Sequence, residues 1–200
     1  MIKFFTSRAV SQRLKINLAK WKRWSREFLP PDPLGGMQSG YARQYHPDQA
    51  FNVYLGGLLV ADLKFTIPEA KQILQDLQGW LAEKGFYFNG SGKIMRVTGE
   101  DEIVKKYILL IEGGTRKDDR FDFIYTVRGI ISKESVDYNG IEIRNERYTQ
   151  TPIDLRPETP STRGMNIVKM LKITDILDDF ANLMGLDRIH YPAISLRTSL

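Results

Sequence analysis

The segment "PPDPLGGMQSG", Pro30 to Gly40, holds three prolines and three glycines in eleven residues. Proline removes a backbone donor and clashes inside a helix, and glycine costs about 1 kcal/mol there relative to alanine. No stable helix crosses this stretch. Whatever the first part of the chain builds is made of short helices on either side of a break.

Upstream of the break, "TSRAVSQRLKI" (6–16) opens on Thr6 or Ser7, both good N-caps, and carries Ala9, Val10 and Leu14 at helical spacing. "KIN" is a turn, and Asn17 can cap the next helix. "LAKWKRWSREFL" (18–29) puts Leu18, Trp21, Trp24 and Phe28 on one apolar face, with Lys20, Lys22, Arg23 and Arg26 off it. Two short helices joined by a tight turn, the second rich in Lys and Arg, form a helix-turn-helix arrangement.

Within the break, Gly35, Gly36 and Gly40 surround "MQS", and "YARQY" comes after them, which reads as a glycine-tipped β-hairpin. His46 or Pro47 then leads into a helix over about 48–63, with Asp48 near its positive dipole end. Its core spacing is set by Phe51, Tyr54, Leu55, Leu58, Leu59 and Leu63, and Gly56 and Gly57 allow a neighbour to approach closely. Thr66 and Glu69 form a capping-box pattern, with Pro68 in the first turn of a helix from 67 to about 84 that Gly85 ends.

The remainder, 86–200, reads differently. "KIMRV" (93–97), "KYILLIE" (106–112), "RFDFIYTVRGIIS" (120–132) and "GIEIRNERY" (140–148) are strand-like, with hairpin connections at "GGTRKDD" (113–119) and "DYNG" (137–140). The spacing predicts a small antiparallel sheet over about 93–148, a proline-bearing linker over 149–164 and a helix over 165–185 closed by Gly185. That helix is a candidate dimer element. The competing reading, that it covers the sheet of its own subunit, is the stronger, because an amphipathic helix beside a sheet usually does so. The expected fold class is α+β. A winged helix-turn-helix domain (1–85) precedes a domain (86–200) that is a candidate dimerisation or effector region.

Charge sharpens the contrast. Residues 1–50 hold nine Lys or Arg against three acids, net +6, while the whole chain is +5. Residues 51–200 therefore sum to −1. A basic end on a neutral body is the electrostatic footprint of nucleic-acid binding. The absence of cysteine excludes a disulfide framework and thiolate metal or redox sites. The longest apolar run, "YILLI" (107–111), suits a buried strand, not a membrane span, and "MIKFF" is followed at once by charges, unlike a signal peptide. A soluble cytoplasmic protein is expected.

Catalytic and metal motifs fail. "NGSGKI" (89–94) lacks the glycine placement and the Ser or Thr of a phosphate loop. The two histidines, His46 and His190, stand far apart in sequence without ligand spacing. Asp118–Asp119 and Asp178–Asp179 have no nucleophile-base pattern beside them. No enzyme activity, metal or cofactor is expected.

Two resemblances bear on the N-terminal part. "HPD" (46–48) matches the loop signature of J-domain co-chaperones, but that fold needs an uninterrupted basic helix before it, which the prolines and glycines forbid. The order of parts instead resembles the winged-helix DNA-binding domain of the MerR family over roughly residues 3–85. "WKRWSREFLPP" stands where that family has its second helix and leucine-proline exit. "GYARQY" resembles the wing, with Ala42 as an extra residue, and "LKFTIPEAKQIL" resembles the lead-in to the next helix, with Lys64 in place of a usual glycine. The long antiparallel coiled coil by which that family usually dimerises has no counterpart here.

The resemblance implies residue roles. Lys20, Lys22, Arg23 and Arg26 would enter the major groove. Arg13 and Lys15 would reach a phosphate at the turn between helices. Tyr41 and Arg43 would touch the flanking backbone or minor groove from the wing. The expected partners are double-stranded DNA and a second copy of the chain on a palindromic site, with an unidentified effector or protein partner left open. The expected function is sequence-specific DNA binding in transcription regulation. The alternatives are a phage or mobile-element accessory protein, of excisionase or packaging-recognition type, and a protein-interaction module.

Overall fold

A computed structural model describes residues 3–32, 42–88, 94–97, 104–113, 116–117, 120–153, 167–186 and 188–191. In chain order the elements begin with β1 (Phe5–Thr6), α1 (Ser7–Arg13), α2 (Leu18–Phe28), β2 (Gln44–Tyr45), α3 (Pro47–Ala61) and α4 (Ile67–Glu83). Then come β3 (Ile94–Val97), β4 (Lys106–Glu112), β5 (Arg116–Lys117), β6 (Arg120–Phe121), β7 (Ile124–Tyr138) and β8 (Ile141–Pro152). The last described elements are β9 (Val168–Leu171), α5 (Ile173–Met184) and β10 (Arg188–Tyr191). This mixture of helices and largely antiparallel pairs is compatible with α+β. The expected hairpin tip at Gly35, Gly36 and Gly40 lies outside the described residues. None of the described helices is long and apolar enough to cross a membrane.

The chain divides into two compact units, 1–98 with 177–200, and 99–176. That division differs from a single cut after residue 85.

In the first unit, each helix starts where its side chains dictate. Thr6 Oγ1 accepts from Ala9 N at 3.3 Å, and Asn17 Oδ1 accepts from Ala19 N at 2.9 Å and Lys20 N at 3.3 Å, satisfying donors that a helix start leaves open. The capping box at α4 is present: Thr66 N donates to Glu69 Oε2 at 2.7 Å, and Glu69 N to Thr66 Oγ1 at 3.4 Å. Lys64, which stands where the MerR pattern has glycine, takes φ 58°, a left-handed conformation that suits glycine best.

Trp21, Trp24 and Phe28 are buried, as the α2 spacing requires. They press on α3 where it has no side chains. A Cβ at Gly57 would sit 2.3 Å from the Trp24 ring, and one at Gly56 2.8 Å from the Phe28 ring. Leu55, Leu59, Ile73 and Leu77 complete this core. β1 pairs antiparallel with β2, Phe5 opposite Tyr45.

One expectation about the C-terminal helix is corrected. It begins at Ile173, not 165, because 168–171 form β9, paired antiparallel with β4 with Leu171 opposite Leu109. A strand position beside a buried neighbour outweighed the helical spacing. From Leu177 onward the helix belongs to the first unit. There Phe180, fully buried, meets Phe51 at 5.3 Å and Phe88 at 5.5 Å between ring centroids. This later part of the helix packs into a helical core, while its first turn is bonded to β4: Tyr107 N donates to Thr174 Oγ1 at 2.9 Å and Lys106 pairs with Asp175 at 2.7 Å.

The second unit is a four-stranded antiparallel sheet in the order β8-β7-β4-β9. Leu109 and Ile111 of β4 face Val127 and Tyr125 of β7, all buried. "KIMRV" is corrected out of this sheet, since β3 pairs in parallel with β10. The linker expected from residue 149 is also corrected, because β8 continues to Pro152, with Thr149 opposite Gly129 and Thr151 opposite Val127. The "DYNG" turn is as expected: Asn139 and Gly140 both have positive φ, 54° and 80°.

Candidate nucleic-acid interface

Tyr45 organises the first unit's basic surface. It is 1% exposed, and its Oη lies 3.0 Å from Ser7 Oγ and 2.9 Å from Ser25 Oγ. Its ring stands edge-on to Trp21 at 5.6 Å. One side chain thus ties β2 to the start of α1 and to the middle of α2. A buried hydroxyl with two hydroxyl partners resists displacement, because each would be left unpaired by its loss.

Over this tie lies a cleft of about 900 Å³ bounded by Arg8, Lys22, Arg26 and Arg43. Among the described residues on its lining, the one acid is Asp32. Arg43 Nη2 donates to Pro30 O at 3.0 Å, and its guanidinium lies 5.8 Å from the Tyr45 ring centroid. That bond anchors the chain leaving the proline break against the end of α2.

The remaining predicted cations are distributed around α2. Lys20, Lys22, Arg23 and Arg26 are all exposed, and the opposite face of the helix is locked by its tryptophans. Lys20 Nζ rests 4.7 Å over the Trp24 ring. Lys20 and Arg23 do not line the cleft. The field of this helix is felt by Glu27, whose carboxyl is held below the usual carboxylate range. The hydrogen bond and charge of Lys71, 2.9 Å away, dominate, and Arg23 and Arg26 add to them.

Lys15 is exposed in the turn before α2, at φ 54°. Arg13 is drawn elsewhere: its Nη1 donates to Met184 O at the end of α5, and its guanidinium lies 5.4 Å from the Phe5 ring centroid. It stabilises the carbonyl end of a helix, a favourable place for a cation. Tyr41 lies outside the described residues. Arg8 is a cleft residue that the sequence reading missed. The signal was present, since Thr6 as N-cap places Arg8 in the exposed first turn of α1, but only the Tyr45 tie brings that turn beside α2.

Chemically, the cleft offers cations beside the hydroxyls of Thr6, Ser7, Ser25 and Tyr45. Among the described residues no group of three or more His, Asp or Glu could hold a metal ion. No family model matches the chain, and neither a curated protein nor a solved structure matches it.

Proposed function

We propose that this chain is a sequence-specific double-stranded DNA-binding protein of transcription-regulator type, without catalytic activity. In this reading a winged helix-turn-helix presents α2 to the major groove, and two copies act on a palindromic site. The observation that carries the reading is α2 itself. Four cations occupy its solvent side while the other side is fixed to the core, beside a cleft with four cations of which α2 supplies two. An eleven-residue helix is about 16 Å long, and the major groove, about 12 Å wide, admits it. Each cation near a phosphate releases condensed counterions, which gives affinity that falls steeply with salt.

Gel shifts with duplex DNA across a salt series test the proposal. Binding that weakens as salt rises, and that is reduced at least tenfold by Lys22→Ala combined with Arg23→Ala, is expected, since each such contact contributes about 1 kcal/mol or more. Lys84→Ala, which removes a cation paired with Glu83 at the end of α4, should change affinity little. Binding that is absent, or indifferent to salt, sinks the reading.

A further inference from the structure

Beyond β4 the β7–β8 pair runs on alone. β4 accompanies β7 only from Ile124 to Ile130. From Ser132 to Tyr138, and from Ile141 to Arg147, each strand pairs only with the other among the described residues. A two-stranded ribbon is marginal by itself in water.

The ribbon has two unlike faces. On one, Val136 lies opposite Ile143 and Tyr138 opposite Ile141. Their exposures are 51%, 43%, 64% and 65%. On the other, Lys133 pairs with Glu146, Ser135 Oγ donates to Glu142 Oε1 at 2.6 Å, and Arg144 Nη2 donates to Glu142 Oε2 at 2.8 Å. At the tip, Gly140 N donates to Asp137 Oδ1 at 3.0 Å. The polar face is satisfied within the ribbon, and the apolar face is open.

We propose that this apolar face is where two copies of the chain associate. It rests on the dimer in the reading above and names the surface that makes it. Nucleic acid is a poor occupant, because residues 131–147 carry three cations and four acids, and Lys133 and Arg144 are engaged by glutamates.

A second copy fits for two reasons. The face is self-complementary, as a two-fold interface requires. Below the apolar quartet it carries one acid, Glu134, and one cation, Arg147, neither with an ion-pair partner among the described residues. With the two-fold axis along the ribbon, each strand lies over the opposite strand of the other copy. Tyr138 then meets Ile141, Val136 meets Ile143, and Glu134 comes diagonally opposite Arg147. The area also suffices. The quartet exposes on the order of 500 Å² per copy, so the pair buries at most about 1,000 Å², the size at which a specific interface begins.

Sedimentation velocity of the full chain without DNA, across a concentration series, tests the proposal. The native chain should be dimeric, and Ile143→Asp should shift it to monomer with its circular dichroism unchanged. Glu134→Arg alone and Arg147→Glu alone should each weaken association several-fold, and the double exchange should restore it, which a merely structural role would not do. A native chain that stays monomeric, its ribbon then serving a different protein, overturns the proposal. So does a dimer that Ile143→Asp and both charge reversals leave intact. A monomer that still binds DNA in a salt-dependent way overturns the ribbon and leaves the DNA-binding reading standing. A ribbon-dependent dimer without DNA affinity does the reverse.

Discussion

Tyr45 is the side chain on which the basic surface depends most. Its hydroxyl bridges Ser7 and Ser25, both buried, so Tyr45→Phe leaves two interior hydroxyls short of a partner. The expected cost is about 1–3 kcal/mol, read as a lower midpoint in urea at unchanged slope. Nothing in "YARQY" announces this role. The segment reads as a hairpin arm whose tyrosines could face either way, and a shift of one residue turns every side chain over. The pairing of β2 with β1, Tyr45 opposite Phe5, is what turns Tyr45 inward. Arg13 was equally illegible, for a plainer reason. Its acceptor is Met184 O, 171 residues further on, and a helix end that distant leaves no trace in local spacing. The α2 cations were legible because 3.6-residue periodicity alone separates them from Trp21, Trp24 and Phe28.

Among the elements, α2 and α3 show how narrow the tolerance is. Gly57→Ala would place a methyl group 2.3 Å from the Trp24 ring, and the ring is itself hemmed in by the core. Overpacking of this kind costs about 1–3 kcal/mol, and chemical denaturation should show it. A denaturation midpoint that does not move would mean the two helices stand further apart than described. Helices α1 to α4 could be read from the sequence because each carries its own start signal, at Thr6, Asn17, Pro47 and the Thr66–Glu69 pair. β9 could not. "NIVKMLKI" fits a helix as well as a strand, and the choice was made by the free edge of β4, some sixty residues upstream. The length of the ribbon is hidden in the sequence for a similar reason. Its alternation weakens where both strands become wholly exposed, so its length shows only in the pairing of β7 with β8.

For the whole molecule, charge distribution governs the expected behaviour. The +6 of residues 1–50 is set against a remainder near neutrality, so the proposed association with DNA should be dominated by that end. The logarithm of affinity should fall with the logarithm of salt by about 0.9 for each phosphate contact. Fluorescence anisotropy titrations of Lys22→Ala combined with Arg23→Ala should therefore flatten the slope by up to about two units. An unchanged slope would mean that these two side chains face water and not phosphate.

The first unit is not contiguous in the chain, and this bears on how the protein is made. Phe51 and Phe88 belong to the first half of the chain, yet the ring that covers them, Phe180, is synthesised after all of residues 99–176. A ribosome thus delivers the basic end early and its closing piece late. Chains halted before Leu177 should remain open to protease within α3, and resistance should appear only once α5 has emerged. Prematurely terminated products would then be open to degradation that the finished chain resists.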